Sequence, residues 1–365
     1  MTTDATPVPT NGSHAHPVRD LVVVGASAGG VEALRKLVAG LPHDFAAAVV
    51  VVLHIPASSR SALASILERA GPLPARQARE GDRLEPGHIL VAPPDRHVIV
   101  ADGTVTLSRG PHENGHRPAV DVLFRSAARA AGPRVVGVVL SGTLDDGTAG
   151  LVAIRARGGM CVVQDPDDAT YAGMPQAAME GDSPDAVLPV DQIAVLLREV
   201  AGTRPATVPD DASALMDMEV AMAVPEDDAL SAPDRPGVPS GFACPDCHGV
   251  LFEIDEGTMR RFRCRVGHAW SPHSLAAQQA AAVEGALWTA LRALEEKAAL
   301  SDRMARNATS RGHAMTARTF AEQAMEARES ALALRDLVER TAGLVPEPGL
   351  SAAEAPAADS AQALP

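Results

Sequence analysis

Ser27, His54 and Asp145–Asp146 are the residues whose types and spacing first suggest chemistry. Ser27 stands in Leu21–Gly30, LVVVGASAGG, where an apolar run gives way to small residues. Gly25–Gly29 fits G-x-S-x-G, the sharp strand-to-helix turn that exposes a nucleophilic hydroxyl. His54 ends a second apolar run in VVLHIP, and Asp145 and Asp146 follow a third in SGTLDDG. Serine, histidine and aspartate at three strand ends match the roles of an acyl-transfer triad: nucleophile, base and orienting carboxylate. Backbone N–H groups around Ser27–Gly30, those of Ala28 and Gly29 included, and in the Ser141–Asp146 turn are candidates to hold an oxyanion. Plainer readings of the same residues stay open. They are a phosphate-binding Gly-rich turn, a serine capping the next helix, a histidine capping the turn before Pro56, and aspartates capping a helix near Thr148. A dinucleotide site would want an acidic residue near the end of the second strand, where Leu53 and His54 stand. The order Ser, His, Asp also differs from the Ser, Asp, His of α/β-hydrolases.

The elements that must position these groups alternate strand and helix from Leu21 to about Val200. Strands are expected at Leu21–Val24, Phe45–Leu53, Ile89–Ala92, His97–Leu107 (two short ones), Arg134–Leu140 and Met160–Gln164. Helices are expected at Val31–Val38, Ser61–Arg69, Ala119–Ala131, from the Ser141–Gly147 turn to Arg157, and at Asp191–Ala201. Val-rich runs without polar alternation are the mark of strands buried on both faces. The reading is an α/β domain over 21–201, a parallel sheet flanked by helices, doubly wound and Rossmann-like. A disordered lead-in is expected over 1–20, a linker over 202–241 (with a helical turn possible in Asp211–Val220), and a disordered tail over 342–365.

A second constellation lies in 242–273. Cys244-Pro-Asp-Cys247, sixteen residues, then Cys264-Arg-Val-Gly-His268 gives C-x2-C…C-x3-H, the spacing of a closed structural zinc site. His248 and His273 are alternative ligands with less apt spacing, and inert buried thiols are the plain alternative. Leu251, Phe252, Ile254, Phe262 and Trp270 would make a small ribbon-like core around the zinc, and Arg260, Arg261, Arg263 and Arg265 a solvated basic strip. Residues 274–341 read as an α-helical hairpin turning near Asn307–Gly312. Its stripes are Leu287, Leu291, Leu294, Ala298 and Ala331, Leu334, Leu337, Val338. The hairpin could pack on its own zinc module, or serve a homodimer or a partner protein. Cys161 reads as a core residue.

Composition narrows the classes. A formal charge of -14 argues against nucleic acid as partner. The longest apolar run, Phe45–Leu53, is half the roughly eighteen residues a bilayer crossing needs, so no membrane insertion is expected. Three clustered cysteines with a histidine fit metal in a reducing cytoplasm better than disulfides.

Taken in order, GASAGG (Gly25–Gly30), His54 in LHIP, HILVAPPDRH (His88–His97), RPAVDVLF (Arg117–Phe124), LSGTLDDGTAG (Leu140–Gly150) and GMPQAA (Gly173–Ala178) resemble the CheB-type protein-glutamate methylesterase domain over about residues 20–200. The resemblance implies hydrolysis of glutamate γ-methyl esters on chemoreceptors or related methylated signalling proteins, and deamidation of glutamines there. It makes Ser27 the nucleophile, His54 the base, Asp146 its partner and the backbone at Thr143 an oxyanion contact, with no cofactor for catalysis. The chain departs from the family's habit at Ala28, where threonine is common, and at Thr143, where methionine is. The family's phosphorylatable receiver domain has no room in the twenty residues ahead of Leu21, so no control by phosphorylation in cis is expected. Arg117 is expected in a surface ion pair. The competing readings are a non-catalytic adaptor that keeps the fold and a serine esterase for small esters.

Overall fold

The computed structural model describes residues 18–58, 61–205, 214–223, 237–256 and 259–341. The tail expected over 342–365 and all but three residues of the lead-in expected over 1–20 lie outside them, as does much of the stretch read as linker. Two compact units emerge. The first runs to Pro111 and resumes over His116–Ser231; the second joins His112–Gly115 to the chain from Ala232 onward.

In the first unit the elements follow as β1 (Leu21–Ala26), α1 (Gly30–Ala39), β2 (Ala48–Leu53), α2 (Leu63–Ala70), β3 (Ala75–Gln77), β4 (Ile89–Val91), β5 (His97–Ala101) and β6 (Thr104–Ser108). Then come α3 (Val120–Ala131), β7 (Val135–Val139), α4 (Thr148–Ala156), β8 (Met160–Gln164), α5 (Gly173–Gly181), β9 (Ala186–Leu188), α6 (Val190–Val200) and α7 (Ala214–Ala223). Among the described residues, seven strands make one parallel sheet in the order β3-β4-β2-β1-β7-β8-β9, and β5 and β6 form a separate antiparallel pair. The expected doubly wound α/β fold is present. Alternate residues of β1 go to opposite sides: Val22, Val24 and Ala26 join α1, α2 and α6, while Leu21 and Val23 join α3, α4 and α5. Every residue of β1, β2 and β7 is buried, which is why these runs carry no polar alternation.

Two strands were not expected, and one helix is longer than the helical turn allowed for in Asp211–Val220. β3 and β9 have three residues each, too few for a periodic pattern. Helix α7 occupies part of the stretch read as linker, over Ala214–Ala223. Val220 and Ala223 pack with Ile99, Ala119 and Val122, and Glu219 is buried 3.8 Å from Arg125.

The second unit holds β10 (Val238–Ala243), β11 (Val250–Glu256), β12 (Met259–Cys264) and β13 (Ala269–Trp270), paired antiparallel in that order. Cys244, Leu251, Phe262, Cys264, Trp270 and Leu275 form its small core. The basic strip needs correction. Strand alternation sends Phe262 and Cys264 to the core and Arg261 and Arg263 to the other face, where both are buried, not solvated. Arg263 donates to Glu113 at 2.9 Å and to the Gly267 carbonyl at 2.8 Å. Helices α8 (Pro272–Ser310) and α9 (Ala314–Thr341) follow. Ser271 and Ser274 close a capping box at the start of α8. Buried and half-buried positions recur at 284, 287, 291, 294, 298, 301, 305 and 308 on α8 and at 317, 320, 324, 327, 331, 334 and 338 on α9, a heptad seam. Leu337, read with that stripe, stands outside the seam at 37% exposed.

Candidate active site

The parallel register sets the site. Ala26 of β1 pairs with Leu53 of β2, so Ser27 and His54 are the next residues on adjacent strands, and the His54 N–H donates to the Ala26 carbonyl at 3.2 Å. On the other side, the Ser27 N–H donates to the Ser141 carbonyl at 2.9 Å, bringing in the turn after β7. The three strand ends therefore converge at the carboxyl edge of the sheet, where ligands bind in open α/β folds. Gly142 has to be glycine. A Cβ there would stand 2.1 Å from Met174 Sδ and 2.9 Å from Ser27 Cβ.

His54 Nε2 lies 2.7 Å from Asp146 Oδ2, with both side chains buried. Its Nδ1 is buried and has no hydrogen-bond partner among the described residues. With Asp146 accepting from Nε2–H, the lone pair falls on Nδ1, which makes that nitrogen the available base. The His116 ring stacks on His54, centroids 3.7 Å apart and planes within 10°.

Asp146 is held by helix termini in exchange. The N–H groups of Val120 and Asp121 at the start of α3 donate to its carboxylate at 2.7 and 3.1 Å. Asp121 Oδ1 in turn accepts from Gly147 and Gly150 at the start of α4, at 3.0 and 2.7 Å. Each helix thus offers its unpaired N–H groups to an aspartate attached to the other. Burial alone would raise the Asp146 carboxyl. The hydrogen bond with His54, the favourable electrostatics of the neighbouring His54 and His116 rings and the Val120 N–H together outweigh burial and hold it far below the usual carboxylate range. It is an anion at any working pH.

Around Ser27, the backbone N–H groups of Ala28, Gly29 and Thr143 make no backbone hydrogen bond outside helices and strands among the described residues. Gly29 takes φ 72, a left-handed conformation that suits glycine, at the mouth of α1. Donors left unpaired beside a nucleophile are what an oxyanion hole consists of. Ser141 braces this turn: its hydroxyl donates to the Ala28 carbonyl at 2.8 Å, and its N–H donates to Gln164 Oε1 at 2.9 Å. Arg117 pairs with Asp95 at 2.5 Å and also donates to the Gly110 carbonyl at 2.8 Å, so it is an ion pair but only 19% exposed. Cys161 is fully buried, and burial pushes its thiol up. It is a core residue.

Sequence reasoning missed His116, Asp121 and Gln164. Asp121 offered the one usable sign, an acidic residue in the first turn of a helix. His116 sits one residue ahead of the quoted RPAVDVLF block, with nothing local to set it apart from eleven other histidines.

In the second unit, Cys244, Cys247, Cys264 and His268 come together as a group able to hold a metal ion, their ligand atoms all within 4.8 Å of one another. His248 and His273 are not in it. Cys247 Sγ is 3.6 Å from Cys264 Sγ, and Cys264 Sγ is 3.5 Å from His268 Nδ1. Two tight turns supply the pairs: His248 N–H returns to the Cys244 carbonyl at 2.8 Å, and Gly267 N–H to the Cys264 carbonyl at 3.0 Å.

Residues 22–197 match the family model described as CheB methylesterase. A protein-glutamate methylesterase/protein-glutamine glutaminase of Pseudomonas aeruginosa is 40% identical over 205 residues, 55% of this chain and 58% of its own length. One from Anaeromyxobacter dehalogenans is 43% identical over 181 residues, 50% of this chain and 53% of its own. The chain thus spans little more than half the length of these curated relatives. The crystal structure of the Thermotoga maritima CheB methylesterase catalytic domain matches at 33% identity and a TM-score of 0.48, over 49% of this chain and 97% of that one.

Proposed function

For a chain whose residues 22–197 match the CheB methylesterase family model, we propose protein-glutamate methylesterase activity, with protein-glutamine glutaminase activity at the same site. The substrates would be glutamate γ-methyl esters and certain glutamines on chemoreceptors or related signalling proteins, met in the cytoplasm. The observation that carries this reading is His54, fixed by Asp146 through Nε2 with Nδ1 left as base, one strand away from Ser27.

Ser27 Oγ attacks the γ-carbonyl carbon while His54 Nδ1 takes its proton. The negative charge on the carbonyl oxygen is met by the N–H groups of Ala28, Gly29 and Thr143. Collapse of the tetrahedral intermediate expels methanol (or ammonia from glutamine), with His54 returning the proton to the leaving group. A water molecule, deprotonated by His54, then attacks the acyl-serine and releases glutamate. Asp146 stays an anion throughout and stabilises the imidazolium. No step needs a cofactor.

Cys244, Cys247, Cys264 and His268 are the proposed ligands of one structural zinc ion. A tetrahedral zinc with Zn–S near ~2.3 Å and Zn–N near ~2.0 Å sets its ligand atoms about 3.8 Å apart, sulfur to sulfur, and about 3.5 Å apart, sulfur to nitrogen. The 3.6 Å between the Cys247 and Cys264 sulfurs and the 3.5 Å between Cys264 Sγ and His268 Nδ1 lie close to those separations and support the reading. Four protein ligands leave no open position for chemistry.

The test is methanol release from a methylated chemoreceptor preparation by wild type and Ser27→Ala. Wild type should release methanol, and the variant should lose on the order of 10³-fold or more. Equal release by both would remove Ser27 from the mechanism; no release by either would leave the adaptor reading in possession.

A further inference from the structure

The metal reading above extends to residues far from the ligands in sequence. His112–Gly115, between β6 and α3, belongs to the second unit and is built into it by polar contacts. Asn114 N–H donates to the Ala269 carbonyl at 2.8 Å, Ala269 N–H donates to the His112 carbonyl at 3.2 Å, and Glu113 bridges in parallel to Ala269. Glu113 meets Arg263 with both side chains at least 96% buried. Asn114 Oδ1 accepts from the Ser271 N–H and the Ser274 hydroxyl at the cap of α8, each at 2.9 Å. A carboxylate buried this deeply is tolerable only while its partner stays in place.

The same segment reaches the metal ligand. The His112 ring stacks on His268, centroids 6.3 Å apart and planes within 19°, and a second group of His112, Asp246 and His268 shares that histidine. His268 turns Nδ1 to Cys264 and Nε2 toward Asp246 Oδ2, 3.9 Å away. Ligating imidazoles are commonly oriented by a carboxylate near the nitrogen that does not bind the ion.

We infer that His112 and Asp246 form the outer shell of a single zinc ion, and that the loaded site is what keeps His112–Gly115 in the second unit. The inference rests on the zinc reading of Cys244, Cys247, Cys264 and His268. The ion fixes His268 and the turn Cys264–His268. That turn leads straight into Ala269–Ser271, whose backbone binds Asn114 and His112. Losing the ion frees these acceptors and donors together.

The experiment uses the full chain. Metal content by mass spectrometry comes first and tests the zinc reading alone: one zinc per chain is expected, none would end that reading, and two would show the His112 group to be a site of its own and overturn the outer shell. Given one zinc, competition with a chromophoric chelator compares wild type, Asp246→Asn and His112→Ala; each variant should bind zinc about 10-fold more weakly or worse. Hydrogen exchange at the Asn114 amide is the readout that needs no variant. It should be slow with zinc and accelerate when zinc is stripped by chelator. Unchanged affinity in both variants, or an Asn114 amide indifferent to stripping, would overturn the inference while leaving the zinc site standing.

Discussion

The two units solve the same problem, holding a few polar groups in fixed geometry, by opposite means. In the first, apolar mass does the work. A seven-stranded sheet with helices on both faces buries every residue of its central strands, and the triad stands at the edge of that rigid slab. Ser27 and His54 each sit one step beyond a buried strand, so their positions follow from strand register. Asp146, in the turn after β7, is placed by the N–H groups of Val120 and Asp121. In the second, the core cluster among the described residues has six members, two of them cysteines, and the buried positions of the helical seam are five alanines, a serine, Leu291 and Val338. So small a core offsets little of the entropy of ordering the chain, and under the proposed zinc reading metal–ligand bonds would supply what packing does not. In one unit the fold makes the site; in the other, on that reading, the site makes the fold.

The sharpest way to break that contrast is at Asp146. Asp146→Asn keeps the shape of the site but removes the charge that sets the His54 tautomer, and kcat should fall by about 10⁴-fold as in other triads. The same variant sharpens the stability side. Asp146 has its carboxyl depressed in the fold, so its contribution is present above the unfolded carboxylate pKa near ~4 and is lost as pH falls below that toward the depressed folded value. Acid titration of unfolding should show a wild-type loss in that range that Asp146→Asn lacks; identical acid profiles would mean that the carboxylate is not stabilised by its setting.

Next in size is metal removal. Chelation at neutral pH should abolish the cooperative thermal transition of the second unit and leave that of the first unmoved, as followed by calorimetry. A second unit that melts unchanged without metal would undo the contrast. The smallest effect belongs to Gly142→Ala. The added methyl meets Met174 and Ser27, so the first unit should lose about 1–3 kcal/mol by denaturant titration. Because the Met174 side chain can yield more easily than Ser27 Cβ can move, most of the strain should fall on Met174, and kcat and KM should change little.

This difference also governs what could be read from the amino acids. The buried strands announce themselves through unbroken valine runs, and Ser27 and His54 stand out because they follow such runs directly, with Asp146 in the turn after a third. The grouping of Cys244, Cys247, Cys264 and His268 was legible because short-range spacing alone defines the two turns that carry them. The parts that escaped depend on contacts across long stretches of chain. His116 has meaning only against His54, sixty-two residues earlier, and Asp121 only against the start of α4. Arg261 and Arg263 look like surface charge until Glu113 is seen facing Arg263 from 150 positions away. Helix α7 is rich in methionine and alanine with no strong polar face, so its composition suggested a linker holding at most a helical turn; tertiary packing on α3 and β5 makes it a full helix.

The excursion of His112–Gly115 bears on modularity. A chain of domains in series can be shortened or recombined at its linkers, because each piece keeps all of its own contacts. Here the second unit borrows four residues from between β6 and α3. A fragment ended after residue 231 would carry Glu113 without Arg263, and Asn114 without Ser271 and Ser274. The carboxyl-terminal half grafted onto another protein would arrive without the segment that bridges to Ala269 and caps Ser271 and Ser274. The boundary that composition draws through 202–241 is therefore a place where the chain can be cut, but not where the molecule comes apart.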